Sequence, residues 1–194
     1  MLNRRIFIAC IALIAMLACA APALAELADQ PRVTLGNCEW ADKVVKMDWF
    51  KGGSEVLANN DYGYIYDVDT GIIVRIKREW GHNHADVEPA TAEDTRKLLE
   101  IAGGKFSWDS HAVILIANGQ YVAAAINTMP HGAQTLKDNK YNGQFCLHTT
   151  NSITHKSGRV NKEHAKAIER AYTWARKQAL ENKVLAWGQA LNLL

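Results

Sequence analysis

With 194 residues, 22 basic against 20 acidic side chains and a formal net charge of +2, the chain lacks the clustered basic excess that a nucleic-acid surface needs. Hydrophobic residues make up 48%, and no internal repeat, low-complexity tract or Pro/Ser-rich linker interrupts them, so one domain with a single sizeable core is expected.

The N-terminus reads as a signal peptide over residues 1–25. Arg4 and Arg5 form a basic start, Ile6 to Ala20 an apolar run and Ala23-Leu24-Ala25 a small-x-small cleavage site. The run is short for a spanning helix, so the expectation is export to the periplasm or the exterior with no membrane span after cleavage. Arg4-Arg5-Ile6-Phe7-Ile8 also fits a twin-arginine signal, although the ordinary secretory route is favoured, and Met16-Leu17-Ala18-Cys19 is a poor lipobox. Losing Arg4 and Arg5 balances basic and acidic side chains at 20 each. Cys10 and Cys19 leave with the same segment. Cys38 and Cys146 remain, and in an oxidising compartment they could form one disulfide, which would exclude Cys146 as nucleophile or metal ligand.

Residues 26–194 are expected to form one globular domain, in which 26–60 wrap the core, 61–160 build it from strands and 161–194 form a C-terminal helix. Tyr62 to Val68 and Ile72 to Arg78 alternate β-branched or aromatic residues around Asp69-Thr70-Gly71, which predicts a hairpin. Thr91 followed by Asp94, then Leu98, Leu99 and Ile101 before Gly103-Gly104, predicts a short capped helix. Ala112 to Ala117, Asn118-Gly119 and Gln120 to Asn127 predict a second, more central hairpin. Asn161 caps a final helix with an apolar stripe of Ala165, Ile168, Tyr172, Ala175 and Ala179, which Val184, Trp187 and Leu191 extend after a possible break. The fold class is therefore α+β, an antiparallel β-rich core or small barrel with one short helix and a C-terminal amphipathic helix.

Two stretches carry the chemistry. In His82-Asn83-His84-Ala85-Asp86-Val87-Glu88 polar side chains recur at every second position, so an extended segment places His82, His84, Asp86 and Glu88 on one face. Between Met129 and His155 lie three of the seven histidines, with His131 at a strand end, Cys146 and His148 on one face of a strand and His155 beyond a loop. His111 and His164 read as structural and surface residues. One chemistry is a zinc centre: His84, Asp86 and His148 as ligands, with Cys146 as a further donor. There the bound water would be activated by Glu88 or His131, and His155 would polarise the oxyanion. The other takes Cys146 as nucleophile and His131 as its base.

The motifs Asp67-Val-Asp-Thr-Gly71, His82-Asn-His-Ala-Asp-Val-Glu-Pro89, Gly103-Gly-x-x-Ser-Trp108, Met129-Pro-His-Gly132 and Phe145-Cys-Leu-His148 with His155 together resemble an uncharacterised exported bacterial domain associated with peptidoglycan-binding proteins. The resemblance spans roughly Asp48 to Ala171 and implies a cell-wall setting. His131-Gly132 and Cys146 are similar to the HG and SHGC elements of L,D-transpeptidases, although Gln144-Phe145 stands where Ser-His-Gly is usual and no arginine follows Leu147. His84, Asp86 and His148 look like the ligand set of zinc peptidases that cut D-alanyl wall peptides, with a shorter His-to-Asp spacing. The leading expectation is an exported metal-dependent hydrolase of peptidoglycan peptides. A Cys146/His131 transpeptidase-like enzyme and a non-catalytic wall-binding module are the alternatives.

Overall fold

The computed structural model describes residues 38–155 and 157–191, so the expected signal peptide lies outside the described residues. Six strands form a closed antiparallel barrel: β1 (Tyr62–Asp67), β2 (Ile73–Trp80), β3 (Ala85–Pro89), β4 (His111–Ala117), β5 (Gln120–Ile126) and β6 (Phe145–His148). The order round the barrel is β1-β2-β3-β6-β5-β4, which makes two three-stranded meanders joined by two seams, β1 against β4 and β3 against β6. The α+β small barrel read from the sequence is the architecture found.

Alternation decides what fills the barrel. Ile65, Val74, Ile76, Ala85, Val87, Val113, Leu115, Val122, Ala124, Ile126, Phe145 and Leu147 form one buried cluster inside it. Their neighbours along each strand face outward, and several of these are also buried because other segments cover the wall. Helix α1 (Ala92–Ile101) starts at Thr91, whose side chain accepts from the Asp94 backbone N–H at 3.1 Å. Helix α2 (Lys162–Ala190) packs on β4 and β5, where the outward residues Ala112, Ala123 and Ala125 are small enough to let it approach. It starts at Asn161, whose side chain accepts from the backbone N–H groups of Glu163 and His164.

Two details of α2 differ from the sequence reading. The helix runs unbroken to Ala190, because no Gly or Pro interrupts the chain between 162 and 187. Its buried stripe is His164, Ala167, Ile168, Ala171, Ala175 and Ala179, while Ala165 and Tyr172 lie at the margin. Its last turns leave Leu180, Val184, Leu185, Trp187 and Leu191 exposed. Among the described residues no helix is long and apolar enough to cross a membrane.

Before β1, Trp49 enters the core and donates to the His82 carbonyl at 2.9 Å. Val45 bridges Val122 and Asp48 bridges Thr150, which fastens this segment along the outside of the barrel.

Candidate functional site

The β3/β6 seam sets the site. Asp86 stands directly opposite Cys146 in the strand register, and Ala85 opposite Leu147. Since Ala85 and Leu147 point into the barrel, Asp86, Cys146 and His148 point out from it, on the same face of the wall. Two turns bring further groups over them. Gly81, at φ +107°, turns the chain so tightly that a Cβ there would stand 2.0 Å from the His84 carbonyl oxygen. Gly143, at φ +128°, allows the bridge between His131 and Gln144, where a Cβ would meet the His131 carbonyl oxygen at 2.6 Å. These glycines are what let His84 and His131 come down onto the seam.

The result is a cluster of one thiol, one carboxylate and five imidazoles. Cys146 Sγ lies 3.4 Å from His131 Nε2, and His131 Nδ1 donates to the Met129 carbonyl at 2.9 Å, which leaves Nε2 to face the sulfur. His84 Nδ1 donates to the Ile153 carbonyl at 2.8 Å. Its Nε2, buried and without a hydrogen-bond partner, stands 3.4 Å from Asp86 Oδ1; at that geometry the attraction is one of charge rather than a directed bond. His155 Nε2 approaches the same Asp86 oxygen at 3.3 Å from the solvent side. Beneath them His84, His148 and His164 stack in sequence, with ring centroids 4.2 and 4.0 Å apart and interplanar angles of 21° and 13°. Trp108, largely exposed, leans on His131 with ring centroids 4.9 Å apart.

Charge in this cluster is redistributed. Burial pushes the Cys146 thiol up, but the hydrogen bond from His131 and the nearness of the His84 and His131 imidazoles outweigh it and bring the thiol down to about 6. Burial lowers His84, yet Asp86, Cys146 and the Ile153 carbonyl raise it to about 10. The contact with Cys146 raises His131 against the effect of its own burial. Burial would raise Asp86, but His84 and His155 hold it below the ordinary carboxylate range. His148 and His164 behave oppositely: burial, then neighbouring imidazoles, hold His148 far below its ordinary value and His164 at about 4. The thiol and the carboxyl are thus shifted towards their anions beside imidazoles shifted towards their cations, and a pair held neutral lies underneath.

Both Cys38 and Cys146 are free thiols, so the disulfide is not formed. Cys38 is buried beside Tyr66, away from the seam, and burial pushes its thiol up. Glu88 does not sit where a base is needed. It is fully buried, and its carboxylate accepts from the Thr135 N–H at 2.6 Å, the Leu136 N–H at 3.2 Å and Asn139 Nδ2 at 3.0 Å, which fixes the 133–143 loop. His82 lies in the turn before β3 and offers its carbonyl to Trp49. His164, read as a surface residue, is buried, with Nδ1 3.1 Å from Ser110 Oγ. The signal for this was its i, i+4, i+7, i+11 spacing with Ile168, Ala171 and Ala175.

The buried His, Cys and Asp groups could hold a metal ion, in three overlapping sets: His84, Cys146 and His148; His84, Asp86 and His155; Asp86, His131 and Cys146. The donor atoms of each set lie within 4.8 Å of one another. The expected ligands His84, Asp86 and His148 are divided between these sets: His84 stands with Cys146 and His148 in one and with Asp86 and His155 in another. His148 is stacked on His84 with ring planes inclined by 21°, whereas His155 crosses it at 60°. Next to the stack, a cleft of about 480 Å³ opens between residues 148–152 and the first turns of α2. Its lining includes His148 and His164 but not Cys146.

In comparisons with protein families, curated proteins and solved structures, nothing matches this chain.

Proposed function

We propose that the protein is an exported thiol enzyme of acyl transfer that acts on peptide amides of the cell wall, with Cys146 as nucleophile and His131 as its acid–base partner. The observation that carries this reading is the contact of 3.4 Å between Cys146 Sγ and His131 Nε2, with the other His131 nitrogen tied to a backbone carbonyl. The signal-like N-terminus and the motif resemblance support the compartment and the substrate class. In the reaction the sulfur attacks the amide carbonyl, the C–N bond breaks, and His131 Nε2 supplies the proton that the departing amine needs. Water or a second amine then displaces the sulfur. Incubation of the mature, metal-free protein with muropeptides should give an acyl group on Cys146 by mass spectrometry and new hydrolysed or cross-linked products. Neither should form with Cys146→Ser, and unchanged muropeptides with the wild-type protein would reject the reading.

The second reading is a zinc-dependent hydrolase of the same peptides, favoured by the donor sets around Asp86. It requires activity that rises when zinc is added to metal-free protein and survives in Cys146→Ser.

A further inference from the structure

We infer that His84, Asp86 and His155 form a site for a divalent ion of the zinc class, and that Cys146 closes its coordination, so that an occupied site takes the nucleophile out of action. The inference rests on the thiol reading above and adds to it a metal-occluded resting state.

The three donors have the spacing such an ion needs. At about 2 Å from each nitrogen or oxygen, tetrahedral ligands stand about 3.3 Å apart. His84 Nε2 and His155 Nε2 lie 3.4 and 3.3 Å from the same Asp86 oxygen. His84 is 1% exposed and its Nε2 has no hydrogen-bond partner, although buried nitrogens are nearly always satisfied. Its other nitrogen is fixed on the Ile153 carbonyl, the outer contact that orients a ligating imidazole and leaves the lone pair on the opposite nitrogen. His155, half exposed on the loop after β6, gives an ion a way in from solvent. The Cys146 sulfur shares one donor set with His84 and another with Asp86, within 4.8 Å in each, so it flanks the site and a rotation of its side chain is what brings it to an ion held there.

An entering divalent ion displaces the protons held on the donor atoms, which leave to solvent, and each of the four donors contributes a lone pair. No bond to carbon is made or broken. The sulfur, bound to the ion, no longer has the free pair with which it would attack a carbonyl, and His131 loses the partner it activates.

Cobalt(II) and zinc are suitable probes for the metal-stripped mature protein. One cobalt per chain should give a thiolate-to-cobalt absorption band in the near ultraviolet, absent in Cys146→Ser. Stoichiometric zinc should slow iodoacetamide alkylation of Cys146 at least tenfold, and a chelator should restore the rate. In His155→Gln, zinc affinity should fall about 10–100-fold, and the ratio of alkylation rates without and with zinc should approach one. Cobalt binding with no sulfur band, or alkylation indifferent to zinc, would overturn the inference. So would muropeptide turnover that rises on adding zinc. If metal-free protein makes no acyl-Cys146 while the cobalt band is present, the thiol reading fails and the metal site stands.

Discussion

At Cys146 the balance is between burial, which favours the neutral thiol, and two imidazoles, which favour the thiolate; the imidazoles win, and the thiol titrates at about 6. Alkylation of metal-free protein by iodoacetamide should therefore rise as pH increases through about 6 and level off near neutrality. Removing the closer partner, as in His131→Asn, should move the midpoint upward by about one unit or more, because a favourable charge beside the thiolate is lost. Cys38 supplies an internal control. Burial raises its thiol, so peptide mapping should find it unmodified while Cys146 is consumed. An unchanged midpoint in His131→Asn would mean that His84 alone sets the thiolate.

The elements show what each polar residue is for. Glu88 and Asp86 are two positions apart on β3 and share its outward face, yet Asp86 meets imidazoles and Glu88 meets the donors of the 133–143 loop. Glu88→Ala leaves two backbone N–H groups unpaired in the interior and takes one of the two acceptors from the Asn139 amide, whose other is the Pro89 carbonyl, and should cost about 3 kcal/mol in urea unfolding. A catalytic base at this position would behave differently, losing turnover with stability intact. The sequence showed the strands, their turns, Asp86 and Glu88 on one face of their strand and Cys146 and His148 on one face of theirs, because period-two alternation and glycine turns are local signals. It did not show which of the polar residues would be satisfied by structure. That depends on a loop, 133–143, folding back over Glu88, and on α2 laying His164 across His148, and both are contacts between distant segments. The place of His155 beside Asp86 was not legible for the same reason: strand alternation gives the face a side chain occupies but not what a later loop brings over it.

For the whole molecule, the neutral imidazoles beneath the site set the acid limit. An unfolded histidine takes up a proton near 6.5, whereas folded His164 does so only at about 4. Between these values the unfolded chain binds more protons, so stability present above about 6.5 is lost as pH falls towards about 4. The loss from His164 alone is ~3 kcal/mol. His148 adds to it over the same range, and Asp86 adds a further loss below about 4, where its lowered carboxyl must be protonated. Urea unfolding measured across this range should show a steep acid limb, and His164→Leu should flatten it.

The two seams of the barrel carry a consequence for a chain that is still folding. Each meander is built from neighbours in sequence and can form by local pairing, but β3 and β6 meet only when Asp86 finds Cys146 across a long stretch of intervening chain. Pairings of that kind come late in folding, since loop closure costs entropy before contacts return it. His131 comes to Cys146 within its own meander, through the bridge to Gln144, whereas His84 and Asp86 arrive only when that seam closes. The full set of groups round the sulfur is thus assembled only as the last step of becoming folded.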